Sequence, residues 1–466
     1  MTVKKGQETE LEISDLAFGG KGIAKIDGFA VFVDQAVPGD RVLARIVKKK
    51  KTYAEARVLS LLIPSADRIT PPCPYSGYCG GCKWQFFKYD RQVEYKRRHV
   101  AESLAHIGGL PDVPVHPTQP SERIFEYRNK MEFSCSDRRW VMPDQLGNEE
   151  INAGFAVGLH VPGTFDKVLD IDACLLPPAT GNRILSEVKH YMKHSGLPLY
   201  GLRSHEGFWR FLMLRHSVAH DQWLVNIVTA VEDRKMIQPL ADALCQKFPR
   251  VVSVVNNITS RKSGVAMGEY EVLLAGDRCL KERLGRFEFE VSANSFFQTN
   301  TRGAVLLYDT VKKYAGLSGT ENVLDLYSGT GTIPIWLADA ASEITGIEIV
   351  ESAVADAHEN CRRNGVSNCR FMVGDIREKM ASITHKPDVL IIDPPRTGMH
   401  PDVVKQVLAM APERIVYVSC NPATLARDAA LMKDVYHVAE VQPVDMFPHT
   451  FHIEAVARMV RIGNQN

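Results

Sequence analysis

The sequence predicts an α/β chain. Its C-terminal third reads as a doubly wound, Rossmann-like parallel sheet, preceded by an N-terminal OB-type β-barrel and a mixed α/β middle. Three observations carry this. Short apolar strands alternate with helical segments from about residue 291, the first 62 residues break into short strands at Gly-rich turns, and a Pro/Gly/Cys-rich stretch follows them. The 466 residues are 45% hydrophobic and 24% charged, which excludes a disordered chain, a collagen or a coiled coil. Lys+Arg 56 against Asp+Glu 55 gives a formal net charge of +1, so any nucleic-acid surface must be a local patch. No apolar run approaches the ~20 residues of a membrane span. The start, MTVKKGQETE, lacks the apolar region of a signal peptide. A cytoplasmic protein is expected, with no membrane contact and no obligate protein partner. Its ten cysteines are then mostly reduced, and clusters of them point to metal or catalysis before disulfides.

Taken in order, residues 1–62 are punctuated by Gly19-Gly20, Asp27-Gly28 and Pro38-Gly39-Asp40, the turn signals of a five-stranded barrel. Eleven Lys/Arg against eight Asp/Glu leave this unit at +3. The Lys48–Lys51 run reads equally as a solvated turn or a nucleic-acid contact. Phe29, Phe32 and Tyr53 are candidates for stacking on bases, with burial inside the barrel the commoner fate of such rings. A second unit, 63–290, opens with Cys73-x5-Cys79-x2-Cys82 in a Pro/Gly loop. Three such thiols and a distant fourth suit tetrahedral Zn or a cubane iron–sulfur cluster, and spacing alone puts Zn ahead. Cys174, flanked by turn-formers in DACLLPP, is preferred as the fourth ligand over Cys135 in the strand-like MEFSCSD. Tyr89–Leu104 reads as a helix with Arg91, Lys96, Arg97 and Arg98 exposed, part of a stretch (90–120) free to pack on the C-terminal unit. Segment 83–100 carries six Lys/Arg against two acids, interleaved with Trp84, Phe86, Phe87, Tyr89 and Tyr95, and reads as an RNA-facing surface. Beyond it, WLVNIVTAV and VVSVVNNI are strand-like and DRKMIQPLADALCQKF is helical.

The third unit, 291–466, carries the chemistry. NVLDLYSGTGTIPIWLA is strand, glycine turn and helix, and Glu348 ends the next strand nineteen residues after Gly329, where a carboxylate can accept ribose hydroxyls. Pro334 replaces the third glycine of a dinucleotide fingerprint, which disfavours a NAD-dependent oxidoreductase. Asp375 ends the following strand, on the adenine side of such a ligand. DVLIIDPPR delivers Asp393 to the ligand face. Arg396 stands where amino-methylating enzymes place a stacking aromatic. VYVSCNP sets Cys420 at a further strand end beside the nucleoside site, a candidate nucleophile rather than inert filler.

SANSFFQTN, LDLYSGTGT, DPPRTG, SCNP and FPHTFHIE, in this order over 291–460, resemble the RNA uracil-5-methyltransferase family. The resemblance implies a Rossmann-like methyltransferase domain with S-adenosylmethionine as methyl donor. Gln298, Tyr327, Glu348 and Asp393 match the cofactor- and base-binding positions, with Asp375 and Thr332 as further carry-overs. Cys420 matches the nucleophile and Glu454 the general base. It also implies a [4Fe–4S] cluster on Cys73, Cys79, Cys82 and Cys174, because members with the same C-x5-C-x2-C and later D-x-C-x-L carry one. The first 62 residues resemble a TRAM domain, an RNA-binding barrel. Barrel and cluster together are similar to the branch acting on C5 of uridines in 23S ribosomal RNA. A tRNA enzyme, or an RNA-binding assembly factor with a relic sheet, are the alternatives. The intact Cys420 and Glu454 weigh against a relic.

Overall fold

The computed structural model describes residues 3–262 and 264–463; the outermost ends of the first and third predicted units lie outside them. Strands Glu8–Glu12, Asp15–Leu16, Gly22–Ile26, Phe29–Asp34, Arg41–Lys49 and Tyr53–Ile63 form one six-stranded sheet. Its core is small and branched, with Ile13, Val31, Val33, Val42, Ile46 and several alanines. The predicted five strands become six through the two-residue Asp15–Leu16. The tetralysine run is exposed at the turn between the two longest strands, with Lys48 bonded to Glu55 at 2.9 Å. Phe32 and Tyr53 are partly exposed and meet edge to face at 5.5 Å.

The middle of the chain builds an eight-stranded, mainly antiparallel sheet from strands between Lys130 and Gly276. Helices Ala179–His194 and Arg234–Lys247 share its core. The predicted strands appear as Gln222–Thr229 and Val251–Ile258, paired in parallel.

The C-terminal sheet contains β1 (Asn322–Leu326), β2 (Glu343–Glu348), β3 (Cys369–Val373), β4 (Val389–Ile392), β5 (Arg414–Ser419), β6 (Tyr436–Val444) and β7 (Glu454–Arg461). Their order is β3-β2-β1-β4-β5-β7-β6, parallel except for β7, which is antiparallel to both its neighbours. Strand order reverses at β1, and a ligand crevice is expected at the carboxyl ends there.

Helix α1 (Tyr89–His106) lies on this third sheet, not on the middle one. Its Val100 and Leu104 share a core with Leu425 and Ala426 of the helix Pro422–Met432, and Val115 and Gln119 bridge to β6. The reading of 83–100 as an RNA-facing surface is corrected here. Trp84, Phe86, Phe87 and Tyr95 are buried with Leu16 and Val37 of the barrel, and Lys96 is wholly buried on the inner face of α1. Rings between cations are what RNA binding needs, but they equally seal a joint between a barrel and a helix. Among the described residues no helix is long and apolar enough to cross a membrane.

Candidate active site

Strand ends deliver the reactive groups. β5 stops at Ser419, Cys420 follows, and the Asn421 side chain accepts the Ala423 N–H at 3.2 Å to cap the helix Pro422–Met432. That helix starts with proline, which has no N–H to leave unpaired. β5 and β7 run antiparallel with Ser419 opposite Ala455, so the next residues outward, Cys420 and Glu454, are neighbours. β4 brings Asp393 to the same edge. The three groups sense one another. Burial pushes the Cys420 thiol up to about 11, helped by the carboxylates of Glu454 and Asp393 and opposed by the Arg396 guanidinium. Glu454 is 5% exposed, and burial, then Asp393, hold its carboxyl well above the usual range, again against Arg396. Burial alone lifts Asp393 to about 7.

Beside them the glycine turn leaves β1. Tyr327 has φ +67°, a left-handed conformation costly for a bulky side chain and typical of ligand-holding backbone. Gly331, at φ +76°, has no room for a side chain, since a Cβ there would meet the Phe371 ring at 2.8 Å. Glu348 accepts the Gly329 N–H at 3.0 Å and the Val350 N–H at 2.9 Å, which fixes its carboxylate at the mouth of a cleft of about 260 Å³. Tyr327, Asp375, Arg377 and His400 complete the lining. Asp375 turns toward Arg377, which donates from its backbone N at 2.9 Å and from Nη2 at 2.6 Å and holds the carboxyl down at about 2. Gln298 is nearly buried, its carbonyl accepting from Asn129 at 2.9 Å. The Thr332 hydroxyl lies 3.1 Å from that of Tyr308, on α2 (Thr301–Ala315).

Sequence reasoning missed Asp325. It sits inside β1, 1% exposed, with no hydrogen-bond partner on either carboxylate oxygen among the described residues. Burial, Asp393 and Glu348 push its carboxyl well above the usual range. An acid set among the apolar residues of VLDL was the available signal. Buried carboxylates without a cation are costly. Grouped at one strand edge, they suit a positively charged ligand, and a sulfonium bearing an ammonium group is one.

Cys73, Cys79, Cys82 and Cys174 lie near enough to act on one another. Cys82 and Cys174 are pushed to about 12, first by burial and then by the other thiols of the set. Cys73 and Cys79 are raised by burial. Cys135 stands apart in the core of the middle sheet, 3.9 Å from the Met192 sulfur. Among the described residues, no three His, Cys, Asp or Glu side chains are placed close enough to hold a single metal ion. Thiols of the 73–82 loop and Cys174 that sense one another without closing on one point are a donor set suited to a multi-iron centre with one thiolate on each iron.

A family model described as tRNA (Uracil-5-)-methyltransferase matches residues 271–461, and a TRAM-domain model matches 2–59. An RNA methyltransferase of Chlorobaculum tepidum, described as uncharacterised, is 44% identical over 97% of this chain and 96% of its own. A similarly described protein of Porphyromonas gingivalis is 39% identical over 97% and 99%. Among solved structures, the Pyrococcus abyssi tRNA (uracil-54, C5)-methyltransferase bound to S-adenosyl-L-homocysteine is 30% identical, with a TM-score of 0.75, covering 97% of this chain and all of that one. End-to-end identity, the matching barrel and a carboxylate-lined cleft beside the glycine turn lead to one conclusion: the chain belongs to the S-adenosylmethionine-dependent RNA uracil-5-methyltransferase family, with a TRAM domain at its N-terminus.

Proposed function

We propose that the chain methylates C5 of a uridine in large-subunit ribosomal RNA through a covalent adduct on Cys420. The carrying observation is the juxtaposition of Cys420 and Glu454 by the β5–β7 register, with Asp393 beside them. C5 of uracil is a weak nucleophile. Addition of the Cys420 thiolate to C6 forms an S–C6 bond and moves the ring electrons toward C5 and O4. C5 then takes the methyl group as the sulfonium carbon–sulfur bond breaks, releasing neutral S-adenosylhomocysteine. Glu454 removes the C5 proton, the C5–C6 double bond re-forms and the thiolate departs. Asp393 holds the polar edge of the base. Glu348, Tyr327, Gln298 and Asp375 would hold the methyl donor, and Asp325 would offset its positive charge. The target uridine must leave its stack to reach this site. The exposed Lys48–Lys51 run and the Phe32–Tyr53 pair give the barrel a phosphate grip and a stacking surface.

Cys73, Cys79, Cys82 and Cys174 would hold a [4Fe–4S] centre, which supplies cross-linking of the loop rather than chemistry in the methyl transfer. An anaerobic preparation should be brown, with about four irons per chain, lost on Cys79→Ser. A colourless preparation with stoichiometric zinc overturns the cluster.

A second reading, a tRNA uridine, is favoured by the Pyrococcus enzyme, whose match spans the whole chain, barrel included. Mapping 5-methyluridine in ribosomal and transfer RNA from a deletion strain separates the two. For the mechanism, Cys420→Ala should abolish methylation without any RNA adduct. Glu454→Gln should slow turnover by about 10²–10⁴ and accumulate an adduct that carries the donor's methyl label and survives denaturing electrophoresis. Adduct formed with Cys420 also replaced by Ala would assign the nucleophile elsewhere.

A further inference from the structure

Segment 445–453, between β6 and β7, ends at Glu454, and residues far earlier in the sequence hold it. Lys96 of α1 is wholly buried, and its Nζ donates to Asp445 Oδ1 at 2.6 Å and to the Phe447 carbonyl at 3.0 Å. Asp445 is wholly buried too. Its Oδ1 also accepts the Phe447 N–H at 3.0 Å, and its Oδ2 accepts from the Tyr89 hydroxyl at 2.9 Å. Gln92, one turn before Lys96, accepts the His449 N–H at 2.9 Å. His449 adopts φ +64°, and its carbonyl accepts both the Lys83 N–H at 2.8 Å and the Trp84 N–H at 2.9 Å. Tyr127 donates to the Pro448 carbonyl at 3.2 Å, and Phe125 stacks on His449 at 4.4 Å. None of these groups takes part in the methyl transfer. A left-handed, non-glycine residue persists only where its surroundings over-determine it, and here they do.

We propose that the buried Lys96–Asp445 pair is a positioning device for the general base. Lys96 and Asp445 act through the 445–453 segment on Glu454, and the step they serve is removal of the C5 proton. This rests on the covalent reading above. Lost docking tilts the first residue of β7 while leaving β5, Cys420 and the donor cleft in place. Addition and methyl transfer then continue and elimination falls behind.

The test compares Glu454→Gln with the double variant Lys96→Met/Asp445→Asn, which removes both charges and leaves neither buried alone. Both receive methyl-labelled S-adenosylmethionine and a ribosomal RNA transcript lacking the modification. The double variant should accumulate labelled, denaturation-resistant adduct, with kcat at least tenfold down and KM for the donor within about twofold. A purely structural loss would depress every step together and trap nothing. Adduct in Glu454→Gln but none in a folded double variant overturns the proposal, as does parent-like turnover. Absence of adduct in Glu454→Gln overturns the covalent reading instead. Should the double variant fail to fold, Tyr89→Phe, which keeps the ion pair and deletes the hydrogen bond to Asp445 together with the one accepted from the Ser121 N–H, reads the same quantity. Its trapped fraction should exceed the parent's, and an unchanged fraction overturns the proposal.

Discussion

Buried acids at the two ends of the 445–453 loop, Asp445 at one and Glu454 with its neighbours from β1 and β4 at the other, are treated in opposite ways. Asp445 is saturated, with a lysine, a tyrosine hydroxyl and a peptide N–H all directed at it. Asp325, Asp393 and Glu454 are also buried or nearly so, yet burial holds all three carboxyls above the usual range, and Asp393 adds repulsion at the other two. Only Arg396, at the rim, opposes this at Glu454. A fold that can surround one carboxylate so fully has left three short of cations at the strand edge where the ligand crevice lies. Paired acid marks a structural joint. Unpaired acid marks a site whose countercharge arrives with the substrate.

The largest expected effect is on the paired side. Asp445→Asn leaves the Lys96 ammonium buried without its partner, and unliganded stability in urea should fall by about 3–5 kcal/mol. Asp325→Asn orphans nothing, because no described residue bonds its carboxylate. Its unliganded stability should move by less than about 1 kcal/mol. Its affinity for S-adenosylmethionine by calorimetry should instead drop by roughly tenfold to a hundredfold, one charge-assisted contact. A stability loss at Asp325 as large as that at Asp445 would break the comparison.

A smaller effect carries a sign that separates the two groups. Asp393 is lifted to about 7 when folded, against an ordinary 3.8. Between these values the unfolded chain is ionised while the folded protein keeps its proton. The contribution of Asp393 to unliganded stability therefore falls as pH rises through this window and levels off above about 7. This is the reverse of the usual salt-bridged aspartate. Melting temperatures from pH 4.5 to 8 should decline in the parent and decline less steeply in Asp393→Asn, where Asp325 and Glu454 still contribute with the same sign. Stabilisation by S-adenosylmethionine should grow over the same range, as its cation meets carboxylates that have become charged.

Much of this site was legible in the sequence because the chemistry fixes residue types at strand ends. Cys420 before Asn-Pro and Glu348 after the glycine turn could be read from strand ends, and Glu454 from the resemblance to the family; the β5–β7 register then sets Cys420 and Glu454 side by side. The joint was not legible. The buried face of α1 sets only Val100 and Leu104 among Gln92, Tyr95, Lys96, His99 and Ser103, so apolar periodicity marks it weakly, and Lys96 reads as solvated until the partner 349 residues away is known. Trp84 and Phe87 failed for a related reason, since aromatics between lysines satisfy two opposite fates. Asp325 escaped because a motif reading attends to the glycines and passes over the strand before them.

The smallest effect concerns the thiol. With Cys420 at about 11, raised first by burial and then by the unpaired Glu454 and Asp393, the resting protein at neutral pH carries it almost wholly protonated. A cation bound among them should reverse part of that, since an opposite charge within about 4–6 Å lowers a thiol by roughly one to three pH units. Alkylation by iodoacetamide, read as Cys420 modification by peptide mass, should therefore be slow at pH 7.5 and quicken nearly tenfold per pH unit. Saturation with a donor analogue bearing an ammonium in place of the sulfonium should accelerate it about tenfold. Neutral S-adenosylhomocysteine fills the same cleft with the same bulk and should slow alkylation or leave it unchanged. The two ligands differ in charge at one atom, so equal effects would mean that shape, not charge, governs the thiol. The unpaired acids would then be a cost of packing rather than a waiting countercharge. A difference that persists in Asp445→Glu and vanishes in Asp325→Asn would locate the effect at the strand edge and leave the paired joint out of it.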